Sequence, residues 1–154
     1  MTVMLVGATA LSAPLDPEEL YATMNAHYRR VREIVGHFGG YVAKHTVDTL
    51  MVYFGYPQAQ EDDPERAIRS ALAMIDAVSG LPTTQLQLRI GIATGLVVVG
   101  ELGGAGYAQE PSVVGEPPSL AERLHELAKP QTIVVSASTR RVAGGVFEYR
   151  ALVD

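Results

Sequence analysis

"GYVAKHTVDTLMVYFGYPQAQEDDPERAIRSALAM", residues 40–74, is the stretch on which the fold turns. Two strand-type runs, "YVAKHT" and "TLMVYFGY", flank Asp48 and read as a hairpin. A helix start follows, with Asp63 as N-cap and Pro64 behind it. Ala67, Ile68, Ala71, Leu72, Ile75 and Val78 then recur at helical spacing, so the unit is β-β-α. Its tip is unusual. Two-residue hairpin turns need positive φ, which suits Asn-Gly or Asp-Gly. Asp48 tolerates that conformation, whereas a β-branched Thr49 fits it poorly. Either the turn is longer than two residues, or this tip has lost glycines it once had.

Working outward, "TVMLV" at residues 2–6 is a short apolar run of strand type. In "LDPEEL" Asp16 is the expected N-cap, Pro17 the first helical residue and Glu19 the third residue of a capping box. Leu20, Met24, Tyr28, Val31 and Val35 carry that helix to about Gly36, and Gly39 and Gly40 end it. On the other side, "LQLRIGIATG" places Leu86, Leu88, Ile90 and Ile92 on one strand face, and "LVVVG" after Gly95 reads as the second arm of another hairpin. Glu101 to Glu110 is a glycine-rich loop. Pro117 and Pro118 lead into a helix "SLAERLHELA", then come a strand "TIVVS", a short helix "ASTRRV" and a last strand around "VFEYRAL". The order β-α-β-β-α-β-β-α-β-α-β describes an α+β protein. Its first six elements are a ferredoxin-like βαββαβ core with both helices on one face of a mostly antiparallel sheet, followed by a C-terminal α/β extension. Residues 1–154 read as a single domain.

Bulk chemistry narrows the function. The formal net charge is −5 and the basic residues are scattered, which argues against nucleic acid, since a phosphate backbone needs a positive face. There is no cysteine, so thiol nucleophiles and zinc–thiolate sites are excluded. No stretch approaches the roughly 20 apolar residues of a membrane span. The apolar opening has no Lys or Arg before Arg29 and reads as a buried strand and a loop rather than a signal peptide, with cytoplasmic location as the default. "SLAERLHELAKPQTIVVSASTRRV" has two helices, but an apolar strand-like "TIVV" separates them where a helix-turn-helix allows a short turn. DNA binding is therefore the third choice.

Several stretches taken together resemble one family. "VGATALSAPLDPEEL", the stretch quoted at the outset, "LRIGIATGLVVVGEL" and "VVGEPPSLAERLHELAKPQTIVVS" are similar to the catalytic domain of class III adenylyl and guanylyl cyclases, in the family's order and from about Leu5 to Phe147. The likeness is strongest to bacterial cyclase-homology domains that precede ATPase and helical-repeat regions. It implies a head-to-tail homodimer, or a heterodimer with another cyclase-like domain, with nucleotide sites at the interface. One protomer supplies two metal-binding aspartates and the other the transition-state residues. The implied reaction is attack of the ribose 3′-hydroxyl of ATP on the α-phosphate, giving cyclic AMP and pyrophosphate. Two Mg²⁺ or Mn²⁺ ions would stabilise charge on the attacking and leaving oxygens.

Carried over residue by residue, the resemblance makes Asp48 the second metal aspartate, with Val47 and Thr49 replacing the usual glycines. The first falls on Met4, two residues before "VG". If residues between "TVM" and "LVG" have instead been deleted, the aspartate went with them, and either way no carboxylate remains. Ser119 stands in place of the transition-state asparagine, four residues before the matching Arg123. Lys44 matches the purine-reading lysine and Ser112 its hydrogen-bonding partner, a pair that looks more like adenine than guanine recognition. Losing one positioned donor typically costs about 10²- to 10³-fold in rate. Plainer readings stand beside these: Asp48 as a turn former, Lys44 and Arg123 as solvated charges, His45 and His125 as single surface histidines, and "GELGGAG" as a hairpin extension rather than a phosphate cradle. The expectation is a degenerate cyclase domain acting in dimerisation or regulation, with an adenine nucleotide as candidate ligand. The alternative is a weak, or heterodimeric, adenylate cyclase.

Overall fold

The computed structural model describes residues 1–10, 16–46, 48–79, 86–100 and 112–152. Its elements are β1 (Thr2–Ala10), α1 (Pro17–His37), β2 (Tyr41–His45), β3 (Thr49–Phe54), α2 (Asp63–Ser79), β4 (Leu86–Thr94), β5 (Val97–Gly100), β6 (Ser112–Gly115), α3 (Glu116–Leu127), β7 (Thr132–Val135) and α4 (Ala137–Ala143). The main sheet runs β2-β3-β1-β4-β7, and β5 and β6 form a separate ribbon. The first four strands pair antiparallel, which is the ferredoxin-like order. Only β7 joins parallel, and a parallel neighbour needs a crossover, which α3 provides.

β1 is central and buried on both faces, which is why it reads as one apolar run instead of alternating. Met4, Val6 and Ala8 join the main core beneath α1, α2 and α4, with Leu88, Ile90 and Ile92 from β4. Val3 and Leu5 face the other way, into a smaller core with Tyr53, Ala93 and Ala121 of α3. Two helices of the βαββαβ unit thus share one face, and α3 covers part of the opposite one. Gly91 sets how closely it does so: a Cβ there would overlap the Ala121 carbonyl and the His125 backbone nitrogen.

The helix ends follow local chemistry. Asp16 Oδ1 accepts from the Glu19 N–H at 2.8 Å, as the capping box requires. At the other end of α1, Gly39 has φ +77°, and the N–H groups of Gly39 and Gly40 bond the carbonyls of Gly36 and Val35, the left-handed glycine stop that satisfies orphan carbonyls. Asp63 differs from expectation. It is the first helical residue and buried, and it accepts from the Gln60 N–H at 2.9 Å while pairing with Arg66. Arg66 in turn donates to the Phe38 carbonyl at 2.7 Å, so the carboxylate fastens the start of α2 to the end of α1.

Four sequence expectations are corrected. β1 runs on to Ala10, because Gly7 to Ala10 find partners on the nine-residue β4. β5 pairs with β6 and not with β4. Leu72 points away from the core and is 48% exposed, while Met74 is fully buried. Residues 146–152 form no strand. Instead Phe147 and Tyr149 pack on the main core, with the guanidiniums of Arg69 and Arg140 over their rings at 5.3 and 5.1 Å. The expected loop from Glu101 to Glu110 lies outside the described residues.

Candidate functional site

The α3 side of the sheet is covered over β4 and β1 and open over β2 and β3. Tyr41, Ala43, Met51 and Tyr56 are only half-buried there, with Tyr41 stacked on Tyr53 at 6.3 Å. Lys44 stands opposite Met51 after an irregularity between Val42 and Lys44, is exposed, and makes no hydrogen bond or ion pair among the described residues. His45, next along β2, stands opposite the buried Leu50 and contacts Tyr28 of α1. The hairpin therefore sends Lys44 and His45 to opposite faces.

The question of the tip is resolved by hydroxyls. The Thr46 N–H donates to the Thr49 carbonyl at 2.9 Å, so the hairpin closes between Thr46 and Thr49 and its turn is not a longer one. Among the described residues only Gln131 is a non-glycine at positive φ, so Asp48 and Thr49 avoid the strained region. The Thr46 hydroxyl accepts from the Thr49 N–H at 3.1 Å, lies 2.6 Å from the Thr49 hydroxyl and donates to Asp48 Oδ1 at 3.2 Å. A threonine at each end of the turn does what glycines otherwise permit, a signal the sequence reading passed over. Asp48 is exposed, and its backbone carbonyl accepts from the Ala8 N–H at 2.9 Å.

That last bond bears on the missing aspartate. The β1 residues beside the tip are Gly7, opposite Thr49, and Ala8. Met4 is opposite Val52, fully buried, and about 13 Å from Asp48 at the usual strand rise. Gly7, opposite Thr49, is thus the β1 residue beside the tip, and it carries no carboxylate. The space over Gly7 is filled by His125, whose imidazole a Cβ at Gly7 would overlap. His125 is accordingly not a surface histidine. Burial holds its pKa below the usual range against the fields of Glu126, Asp48 and Glu122, with Arg89 adding to the depression. Among the described residues no three His, Asp or Glu side chains converge on one point. One exposed carboxylate beside a glycine does not fit a two-ion centre, because hard divalent ions take several oxygen ligands.

Ser119 and Arg123 lie one turn apart on the exposed side of α3, and neither side chain has a hydrogen bond or ion pair among the described residues. Since α3 packs on β4 and β1, while Lys44 is on the edge strand β2, one chain does not bring these groups together. At the usual strand spacing β2 and β4 are about 14 Å apart. Ser112 opens β6, with Gly100 as its backbone partner. The β5–β6 ribbon exposes Val98 and Val114, which are cross-strand partners, at 72% and 59%.

Comparison with known proteins agrees with this architecture. Residues 1–152 match the family model described as the adenylate and guanylate cyclase catalytic domain. An uncharacterized protein of Mycobacterium tuberculosis is 34% identical over 144 residues, covering 92% of this chain but 25% of that protein. The atrial natriuretic peptide receptor 2 of Rattus norvegicus is 40% identical over 106 residues, 64% of this chain and 10% of the receptor. The chain thus spans about a quarter or less of the length of these relatives. Among solved structures, the guanylate cyclase domain of a rhodopsin–cyclase from Catenaria anguillulae in complex with GTP superposes with TM-score 0.85 at 25% identity, covering 96% of this chain and 83% of that one. The adenylyl cyclase CyaB of P. aeruginosa gives TM-score 0.79 at 28% identity, with 92% and 78% covered. By sequence and by fold, this chain belongs to the adenylate and guanylate cyclase catalytic domain family.

Proposed function

We propose that this domain is a catalytically degenerate cyclase module, working as a dimerising or regulatory unit in cyclic-nucleotide signalling rather than as an efficient enzyme. The observation that carries the reading is the pairing of Asp48 with Gly7 and Ala8. Among the described residues the carboxylate has no second acid beside it, which leaves too few ligands there to hold two ions on one attacking and one leaving oxygen. Ser119 compounds the defect, because a hydroxyl offers one donor where an amide offers two. The open β2–β3 face and the apolar ribbon support a second copy, or another cyclase-like domain, as the partner. We take residues 1–154 as one such domain in the cytoplasm, where ATP is at hand.

The test is cyclic AMP formation from ATP with Mn²⁺, run beside Asp48→Ala to expose contaminating cyclase. The expected result is no product above that control. Product that disappears in Asp48→Ala would overturn the reading and make this a slow cyclase.

A second reading has its own support. Lys44 and Arg123 are exposed cations whose side chains have no partners among the described residues, as a heterodimer requires if the other protomer brings both aspartates. In that assembly Lys44, with Ser112, reads adenine, and the Arg123 fork meets phosphate oxygens. Mixing with an aspartate-intact homologue distinguishes the two readings. A catalytic heterodimer loses at least 10²-fold of its rate on Arg123→Ala, and a rate unchanged by that substitution rules it out.

A further inference from the structure

On the helix side of the hairpin, away from Lys44 and α3, lies a groove of ≈ 510 Å³ lined by Asn25, Tyr28, Arg29, Arg32 and Glu33 of α1 and by His45 of β2. Residues 25, 28, 29, 32 and 33 recur at helical spacing, so a single stripe of α1 forms one wall. The end of β2 forms the other, with the Tyr28 and His45 rings edge to face at 4.5 Å.

The lining is rich in hydrogen-bond donors. Arg32 Nη2 lies 2.8 Å from His45 Nδ1. A guanidinium can only donate, so Nδ1 accepts and the neutral ring carries its proton on Nε2. The Arg29 side chain has no hydrogen bond or ion pair among the described residues. The single carboxylate of the lining, Glu33, is engaged by Arg30 at 3.2 Å. Tyr28 is 2% exposed, and its buried hydroxyl has no hydrogen-bond partner among the described residues, a costly state for a polar group shut away from water. Burial and the nearby Asp48 carboxylate keep that phenol protonated, so it is available as a donor. Two guanidinium forks, an imidazole N–H and an unsatisfied hydroxyl at one concave site match an oxyanion with several acceptor oxygens. The volume lies within the range of small-ligand sites, and the two rings offer an apolar wall.

We propose that this groove binds a phosphate group, either free or carried on a small organic molecule, at a site separate from the Lys44 face. Arg29 and Arg32 neutralise its charge, and Tyr28 and His45 fix its position. The site does not depend on the proposed function, since none of its residues belongs to the candidate nucleotide face. The experiment is a ¹⁵N–¹H correlation titration of the intact chain with inorganic phosphate at constant ionic strength, with chloride as control and adenosine monophosphate as a second arm. Saturable shifts confined to residues 25–33 and His45 are expected, with affinity falling at least tenfold in Arg29→Gln/Arg32→Gln and about threefold or more in Tyr28→Phe, which keeps the ring. Lys129→Ala, which removes an exposed cation outside the groove, should leave them unchanged. Tighter binding of the monophosphate at the same residues identifies a phosphorylated organic ligand, and equal affinity identifies phosphate alone. Shifts that grow linearly with either anion, or persist in the folded double variant, overturn the proposal. Both arginines are exposed, so that variant keeps the fold, and its thermal melt confirms this before titration.

Discussion

His27 sits in α1 at 4% exposure with Nε2 unpartnered among the described residues, and burial lowers its pKa from 6.5 to about 4. The unfolded chain then binds more protons than the folded one between those values, so stability rises with pH across that window. The contribution is complete above about pH 6.5 and is lost as the pH falls toward 4, by at most about 3 kcal/mol. Urea unfolding at pH 7, 5.5 and 4.5 should show the decline, and His27→Leu should flatten it. A slope unchanged in that variant would assign the acid sensitivity elsewhere. His125 supports a second prediction at the same scale. If Gly7 occupies the place of the lost aspartate, Gly7→Asp alone should destabilise by about 1–3 kcal/mol through crowding against the imidazole and gain no metal. Gly7→Asp combined with His125→Ala should bind Mn²⁺ measurably by calorimetry, whereas Met4→Asp, with its acid in the apolar core, should only destabilise. Mn²⁺ binding by Met4→Asp would reverse the assignment. The absence of a paired acid was legible in the sequence, but its location was not. The β1–β3 register, which puts Met4 in the core opposite Val52 and Gly7 opposite Thr49, depends on pairing that spacing within one strand does not give.

Gly91 and Gly36 are both glycines inside regular elements, and they should respond oppositely to alanine. At Gly36 nothing lies within 4 Å of an added Cβ, and the residue is helical. Gly36→Ala should stabilise by about 0.5–1 kcal/mol by restricting the unfolded chain. Gly91→Ala should cost about 1–3 kcal/mol by pushing α3 off β4. Midpoints of urea unfolding with unchanged slope would confirm both signs, and a neutral Gly91→Ala would mean that α3 adjusts freely. Elements such as α1, with its cap, glycine stop and 3.6-residue stripe, were readable because every signal was local. The partner of β5 was not. Val97 to Gly100 reads as a strand in either pairing, and its true neighbour β6 is four residues long, too short to stand out beside Pro117 and Pro118. The missing last strand has a similar cause: Phe147 and Tyr149 have strand character, yet their burial against the core and their arginine contacts leave no edge to pair with.

At the scale of the whole molecule, the unresolved demand is apolar surface. The fold class was readable because β-α-β-β-α-β admits few sheets, and Asp48, Lys44, Ser119 and Arg123 could each be placed on an element from sequence. What spacing could not show is that one chain keeps the hairpin residues and the α3 residues apart. Val98 and Val114 form an exposed cross-strand pair on the ribbon, and Leu96 beside them is 95% exposed. Side chains opposite each other on an antiparallel pair share a face, and an apolar face projected into water marks an interface. Val98→Lys together with Val114→Lys places two like charges on that face. If the ribbon buries against a second copy, sedimentation equilibrium should show the dimer dissociation constant rising at least about 100-fold, roughly 3 kcal/mol, with the monomer's thermal midpoint little changed because neither residue is in a core. A wild-type chain that remains monomeric at high micromolar concentration would show that the ribbon does not bury against a second copy.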